Sequence, residues 1–479
     1  MGYPSVYPMG TTIYTPDKCW NGYTIFQGRD LGAVLIDMNG NVAKLWKGLH
    51  GMPNTILPGG YVMGNTGERN PAYGYQDKVD LVQVDWDGNI VWKFDKYDFI
   101  EDPGEEPMWM VRQHHDYQRE GNTVGYYAPG MEPLVDRGNT LILCHKNLKN
   151  PEISDKLLMD DAIIEVTWDG EIIWEWIASD HFDELGFSEE AKNAMCRFPN
   201  MKGGAGDWMH MNAMSSLGPN KWYDSGDERF HPDNIIWDGR QTNIIAITAK
   251  KTGKIVWKLG PDYTVSPQTR KLGQIIGQHH AHMIPGGLPG EGNILIFDNG
   301  GWAGYGAPNP GSARGHNNAL RDYSRVLEFD PTTLELVWQY TPREAGFVMP
   351  ADSYKFYSGY ISSAQRLPSG NTLITEGADG RIFELTPGYE IVWEYLSPYF
   401  GKRENRNEVY RAYRVPYSWI PQIEKPEEIS LPRLQNSKLR VTDFMGKGVP
   451  KQKEPAVTEI KGGVRGYWDT AQQCVIPAE

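Results

Sequence analysis

The chain has 479 residues, of which 40% are hydrophobic and 12% aromatic, and its net charge is −14. An acidic chain without a basic stripe is unlike a nucleic-acid-binding protein, and the absence of a run of about 18 apolar residues argues against a membrane span. The N-terminus lacks a basic segment followed by an apolar one, so we expect no signal peptide and a cytoplasmic protein. Cys19, Cys144, Cys196 and Cys474 are far apart and predict free thiols in a reducing compartment.

A strand–turn–strand pattern that ends in Trp recurs six times along the chain. Each copy alternates apolar and polar residues on both sides of a turn, which predicts a β-hairpin, and Asn39-Gly40 and Asp87-Gly88 favour tight hairpin turns. We expect the terminal Trp side chains to fill the space between neighbouring sheets. The copies cover residues 34–46, 81–92, 163–174, 244–257, 326–338 and 382–393.

A second pattern, Gly-Asn followed by a variable and then an aliphatic residue, supplies further hairpins at 121–124, 138–141, 292–295 and 370–373. Two hairpins per unit make four strands, which is one propeller blade. We therefore predict an all-β fold, a six-bladed β-propeller of residues 1–410 with long inter-strand loops. We expect a C-terminal extension, residues 411–479, to pack on the propeller or close it. Within one long loop, residues 182–196 predict a short helix with Ser188 as its N-cap.

The histidines are concentrated near strand starts and in long loops. Seven of the eleven lie there: His114, His115, His210, His279, His280, His282 and His316. Because the innermost strand of each blade lines the channel, we expect histidines from separate blades to converge on it. Imidazole can act there as nucleophile, acid, base or metal ligand. For any one histidine a structural role is the alternative, and we assign that role to the more peripheral His145, His181 and His231.

Four short motifs resemble those of the arylsulfate sulfotransferases. They are residues 208–212 (Trp-Met-His-Met-Asn), 277–281 (Gly-Gln-His-His-Ala), 297–300 (Phe-Asp-Asn-Gly) and 323–328 (Tyr-Ser-Arg-Val-Leu-Glu). The resemblance covers about residues 20–400 and implies a six-bladed propeller that moves a sulfuryl group between phenols through a sulfated histidine, without a nucleotide donor. It further implies that His210 and one of His279 or His280 contact the sulfuryl oxygens, which Arg325 neutralises.

The chain departs from this family at the expected nucleophile. That histidine should come from a late blade, but no histidine follows His316, and the corresponding segment is residues 357–365. We therefore keep His114 and His115 as alternative nucleophiles and Tyr360 as an alternative acid or base.

Three functions follow as hypotheses from these residues. The leading one is an aryl sulfotransferase-like enzyme acting on an aromatic small molecule, with no required cofactor. The second is a metal-dependent lyase, hydrolase or oxygenase whose divalent metal is held by His114, His210 and His280, and the third is a non-catalytic binding propeller. We expect no nucleic-acid or membrane partner and leave a homo-oligomer open. The catalytic candidates are His114, His115, His210, His279, His280 and Arg325, and the substrate-binding candidates are Trp208, Asn212, Asn299 and Tyr360.

Overall fold

Six antiparallel sheets form the blades of a β-propeller, which confirms the predicted fold class and blade number. The computed structural model describes residues 9–69, 74–200, 206–401 and 406–432. The inner strands of successive blades contact one another around the central channel. Most of the predicted C-terminal extension, including Cys474, lies outside the described residues, and the three other cysteines are free thiols.

Each blade has four strands, which run in the following order from the inner to the outer one. Blade 1 consists of Ala412–Val415, Tyr23–Gly28, Gly32–Ile36 and Val42–Lys47, and blade 2 of His50–Leu57, Tyr61–Asn65, Leu81–Val84 and Ile90–Phe94. Blade 3 consists of Gln113–Arg119, Thr140–Leu148, Leu158–Val166 and Ile172–Ile177, and blade 4 of Met211–Ser216, Ile235–Gly239, Ile244–Thr248 and Ile255–Leu259. Blade 5 consists of His279–Met283, Ile294–Asp298, Arg325–Phe329 and Leu336–Tyr340, and blade 6 of Ser363–Arg366, Thr372–Glu376, Arg381–Leu385 and Ile391–Leu396.

Both ends of the described chain close the ring. The late strand Ala412–Val415 is the inner strand of blade 1, where it pairs with Tyr23–Gly28. The early strand Gly10–Tyr14 adds a fifth, outermost strand to blade 6 by pairing with Ile391–Leu396. Blades 1 and 6 are thus each completed by a strand from the opposite end of the chain, and these two pairings close the ring.

The Trp that ends each hairpin links its blade to the next one. Trp46, Trp92, Trp257 and Trp393 are buried, as the sequence predicts. Five indole Nε1–H groups donate to a backbone carbonyl of the following blade over 2.7–3.3 Å: Trp92 to Trp168, Trp174 to Lys250, Trp257 to Pro331, Trp338 to Pro387, and Trp393 to Met38. The repeat therefore supplies both apolar packing and a directional bond between blades.

The loops carry short helices and two-stranded ribbons. The predicted helix over 182–196 is two helices, because Gly186 ends the first in the left-handed conformation. Ser188 caps the second by accepting the Ala191 N–H. The helices are Phe182–Leu185, Glu189–Arg197, Lys221–Asp224 and Pro267–Leu272, and the ribbons pair Asp98–Ile100 with Met108–Met110 and Ala303–Tyr305 with His316–Ala319. In the described part of the chain, no helix has both the length and the apolar character needed to cross a membrane.

Candidate active site

Three successive blades place a histidine at the same backbone position, the entry to the inner strand. His115, His210 and His280 all have left-handed backbone, with φ of 53°, 54° and 58°, and the inner strand is bulged at or next to each of them. Non-glycine residues are strained in this region, and such strain concentrates at functional sites. In blade 6 the two residues directly before the inner strand, Ile361 and Ser362, are left-handed, with φ of 54° and 93°, and neither is a histidine.

His210 forms a buried pair with Asp207. His210 Nδ1 lies 2.5 Å from Asp207 Oδ2, and because a carboxylate only accepts, the neutral form of the ring carries its proton on Nδ1 and its lone pair on Nε2. Burial alone would raise the pKa of Asp207, but the His210 imidazole outweighs it and holds that pKa below its usual value. The His210 side chain keeps 11% exposure, and its ring lies 4.7 Å from that of His115, centroid to centroid. Two of the predicted histidines thus meet in the channel.

His114 and His115 also contact each other, with their Nδ1 atoms 2.8 Å apart, so one ring donates to the other. Burial lowers the pKa of His114 to about 4 and that of His115 well below its usual value, an effect that His210 strengthens at His115. His145 stacks on His114 with centroids 3.6 Å apart and is itself buried. Its assignment as peripheral is therefore wrong, because the second strand of blade 3 carries it into the interior.

Both ring nitrogens of His279 form hydrogen bonds. Its Nδ1 donates to Asn299 Oδ1 at 2.7 Å, and its Nε2 accepts the backbone N–H of Ile361 at 3.1 Å. Asn299 in turn donates to the carbonyls of Ser358 and Ile361, both at 2.7 Å. The Phe-Asp-Asn-Gly motif thus orients His279 and fastens it to blade 6, and Asn299 is engaged in that task.

His280 belongs to a second group of side chains around a buried guanidinium. Its Nε2 lies 3.4 Å from the Tyr413 hydroxyl, and its Nδ1 has no hydrogen-bond partner in the described part of the chain. Arg411 donates to Asp116 and to the Asn212 carbonyl, both at 3.1 Å. Burial, with the Arg411 charge adding to it, holds the pKa of His280 well below its usual value. Arg411 is a channel guanidinium that no sequence motif indicates.

Arg325 lies on the third strand of blade 5 and is engaged in structural contacts. Its Nε donates to Asp298 Oδ2 at 2.7 Å, and its two terminal nitrogens donate to the carbonyls of Leu272 and Gln274 at 3.0 Å. None of these bonds goes to a channel histidine. Two of the motifs that carry the family resemblance therefore bind each other, because Asp298 and Arg325 are cross-strand partners.

Arg240 brings a guanidinium close enough to Asp207 and His279 to interact with both electrostatically. Its backbone N–H donates to the His210 carbonyl at 2.9 Å, and its half-buried side chain makes one hydrogen bond, to Gln241 Oε1 at 3.5 Å. Among the described residues it has no carboxylate within ion-pair distance. Burial lowers the pKa of Arg240, with Asp207 as the nearest opposing charge. Arg240 is thus a cation that remains available to an anionic ligand.

The predicted substrate-binding residues lie in different surroundings. Trp208 is fully buried, and its Nε1 donates to Asp160 at 2.8 Å. Asn212 is also buried, where its side chain donates to the Gln278 carbonyl at 3.0 Å. Trp208 and Asn212 therefore pack inside the propeller, whereas Tyr360 lines a cavity.

A cavity of about 760 Å³ opens between blades 1, 2 and 6. Tyr410 connects this cavity to the backbone of the histidine cluster, because its hydroxyl donates to the carbonyls of His115 and Asn212 at 3.2 and 3.1 Å. Tyr75 lies on another wall and close enough to Arg240 to affect its pKa. The volume suits a small aromatic ligand. Its walls include Tyr75, Tyr360, Ile361, Glu408 and Tyr410.

The predicted metal ligands His114, His210 and His280 do not converge as a set. Across the described ranges, the one group of three or more His, Cys, Asp or Glu residues whose ligand atoms come together is His114, His145 and Asp161. His114 alone is common to both sets, because His210 pairs with Asp207 and His280 faces Tyr413 and Arg411.

Comparison with known proteins identifies a family for this propeller. Residues 133–395, more than half of the chain, match the family described as arylsulfotransferase (ASST), and no curated protein matches significantly. A protein of unknown function from Bacteroides caccae is 10% identical, with a TM-score of 0.42, covering 82% of this chain and 99% of that one. Virginiamycin B lyase from Staphylococcus aureus is 12% identical, with a TM-score of 0.33 and coverages of 81% and 85%. AztD from Citrobacter koseri is 8% identical, with a TM-score of 0.34 and coverages of 82% and 98%.

Proposed function

Since the chain belongs to the arylsulfotransferase family, we propose that it transfers a sulfuryl group from an aryl sulfate to a phenolic acceptor, with His210 as the nucleophile. The observation that carries this proposal is the His210–Asp207 pair. A carboxylate that holds Nδ1–H leaves the lone pair on Nε2, which is how a neutral imidazole is prepared for attack.

The reaction takes two displacements at sulfur. In the first, His210 Nε2 attacks the sulfur of the donor, the bond from sulfur to the aryl oxygen breaks, and the phenolate leaves. In the second, the acceptor phenol oxygen attacks the sulfated imidazole, the nitrogen–sulfur bond breaks, and the acceptor proton passes to solvent. Asp207 keeps its bond to Nδ1–H throughout and offsets the positive charge on the ring.

Arg240 is proposed to receive the sulfuryl oxygens. The group in transfer spreads negative charge over three oxygens, and a guanidinium presents several N–H donors to such an anion. Arg240 is bonded through its backbone to His210 and has no ion pair among the described residues. It takes the role that the family resemblance implies for Arg325.

His210 takes the role that the family resemblance implies for a late-blade histidine, because no histidine follows His316 in this sequence. Blade 6 has Ile361 and Ser362 as left-handed residues before its inner strand, where blades 3, 4 and 5 have a left-handed histidine at the strand entry, and the Ile361 N–H is bonded to His279. Among these three, His210 is the one with a carboxylate on Nδ1, which is why we assign it the nucleophilic role.

Transfer of sulfate from 4-nitrophenyl sulfate to a panel of phenols tests this function. We expect nitrophenol release together with a sulfated acceptor detected by mass spectrometry, and a loss of about 10³-fold or more in His210→Ala. His282→Gln is the matched control, because His282 is also a buried channel imidazole but both its nitrogens are satisfied, by the His280 carbonyl and the Tyr126 hydroxyl. Absence of sulfated product with every acceptor, or full activity in a folded His210→Ala variant, would overturn the proposal.

A further inference from the structure

A group of polar side chains that the proposed reaction does not use lies inside blade 3. His114, His145 and Asp161 come from its first three strands, and His145 and Asp161 are direct cross-strand partners. One ligand atom from each lies within 4.8 Å of the other two, and all three residues are buried. Three strands of one sheet therefore hold these groups at a common point.

The three atoms that meet there make no hydrogen bond to one another. Nε2 of His114, Nε2 of His145 and Oδ1 of Asp161 are all buried without a hydrogen-bond partner among the described residues. His114 Nε2 lies 3.2 Å from Asp161 Oδ1, yet the two are not aligned as a hydrogen bond. Buried polar atoms left without a partner are costly, so such a group calls for an explanation.

The contacts around this group are of the kind that orient metal ligands. His145 Nδ1 lies 2.5 Å from Asp77 Oδ1, and as the donor it leaves the lone pair on Nε2. Asp161 Oδ2 accepts the Met211 N–H at 3.1 Å, which leaves Oδ1 as the second acceptor. Metal-bound histidines characteristically donate their other ring N–H to a carboxylate, and metal-bound carboxylates are themselves hydrogen-bonded.

We propose that His114, His145 and Asp161 form a binding site for a divalent transition-metal ion. Two imidazole nitrogens and one carboxylate oxygen suit Zn²⁺, Fe²⁺ or Mn²⁺, with positions left for solvent or a further oxygen. Ligands about 2.0–2.2 Å from one ion lie at most about 4.4 Å apart, and the three ligand atoms here lie within 4.8 Å of one another, close to that separation. A cation at this point, bound by the neutral Nε2 atoms and the Asp161 carboxylate, gives all three atoms the partner they lack.

The site is separate from the proposed nucleophile but connected to it. His114 contacts His115 through their Nδ1 atoms, and the His115 ring contacts that of His210. The ion therefore lies behind the reacting imidazole rather than on it. The proposal does not depend on sulfuryl transfer, because it follows from unpartnered atoms in blade 3.

Metal binding to the tag-free full-length protein tests the site. After chelator treatment, the protein is reloaded anaerobically with Zn²⁺, Fe²⁺, Mn²⁺ or Co²⁺, gel-filtered and analysed for metal, and the Co²⁺ form is measured for visible absorption bands. We expect about one ion per chain for at least one metal, and at least about a 10-fold loss of affinity in Asp161→Asn and His145→Gln. Asp161→Asn keeps the shape of the side chain and an acceptor for Met211. His282→Gln, which removes a buried imidazole elsewhere, should retain the ion.

The outcomes separate this proposal from the proposed function. A wild-type protein that binds none of these metals tightly, or an Asp161→Asn variant with unchanged affinity and stoichiometry, would overturn the metal site. If His145→Gln does not fold, Asp161→Asn decides. A bound ion without sulfuryl transfer would leave the metal site standing and remove the enzymatic proposal, whereas transfer by a protein that cannot be loaded would do the reverse.

Discussion

Replacement of Asp207 should lower the rate of sulfuryl transfer in two graded steps. In Asp207→Asn the amide oxygen can still accept Nδ1–H of His210, with the amide NH₂ in the place of Oδ1, which has no hydrogen-bond partner among the described residues. That change removes the negative charge of Asp207 but keeps the His210 proton on Nδ1. A hydrogen bond to a charged group contributes about 1.5–3 kcal/mol, which predicts a loss of about 10–150-fold in kcat.

Asp207→Ala removes the acceptor altogether, so Nδ1 and Nε2 compete for the proton. In a catalytic triad, a change at the Asp that gives the His the wrong tautomer costs about 10⁴-fold in kcat, and we expect a loss approaching that value in Asp207→Ala because nothing then holds the proton on Nδ1. Because Asp207 touches His210 and not the open cavity, KM for the donor should change little. The assay is the single-turnover release of nitrophenol from 4-nitrophenyl sulfate, with the metal content of each variant measured in parallel. Wild-type rates in both folded variants, or equal losses in the two, would refute this account of the pair.

The remaining predictions concern the cations and the buried imidazoles. Arg240→Met should lower kcat/KM for the aryl sulfate by about 10²–10³-fold, with Arg240→Lys in between, and unchanged steady-state kinetics would show that this guanidinium does not meet the sulfuryl group. Arg411→Met leaves Asp116 buried without its cation and should cost about 3–5 kcal/mol of unfolding free energy in urea, and adding Asp116→Asn should recover part of it, whereas additive losses would contradict the pairing. Burial lowers the pKa of His282 to about 4, so the unfolded chain binds its proton below about pH 6.5 while the folded protein does not. Stability should therefore fall as pH drops from about 6.5 to about 4, and His282→Gln should flatten that fall by up to about 1.4 kcal/mol per pH unit in denaturation profiles; an identical profile would argue against a neutral His282.

The blades could be predicted from the sequence because each Trp hairpin is a local pattern. The strand pairings that close the ring could not be predicted from a local pattern. Ala412–Val415 is four residues long and pairs with Tyr23–Gly28 at the other end of the chain, so its place depends on a partner that no local periodicity reveals. The two helices between 182 and 197 show the same limit on a smaller scale, because a single left-handed Gly186 divides them.

The site could be predicted as far as the backbone positions of its histidines. His115, His210 and His280 share a position because the blades repeat, and the repeat is visible in the sequence. Asp207 stands three residues before His210 and directly before the Trp-Met-His-Met-Asn motif, so an acid at that spacing is a usable signal. The family resemblance assigns Arg325 to the ligand. The ion pair of Arg325 with Asp298 could not be predicted from the sequence, because it depends on strand register.

The roles of other members of the site could not be predicted from the sequence. Arg240 follows an ordinary strand end, and its importance rests on having no ion pair among the described residues. His145 lies in an alternating strand like many others, and only the pairing of that strand with the one carrying Asp161 reveals its surroundings. Such features depend on which side chains meet after the ring closes, and no local pattern records that.

The most direct test of the enzymatic proposal is to trap the sulfated enzyme. The protein is incubated with 4-nitrophenyl sulfate without acceptor, quenched at alkaline pH, digested and analysed by mass spectrometry. We predict the added mass of one sulfuryl group on the peptide containing His210, fragment ions that locate it on that imidazole, and its loss on addition of a phenol. Sulfuryl transfer that proceeds with no modified histidine, or with the group on another residue, would contradict the assignment of His210 as the nucleophile.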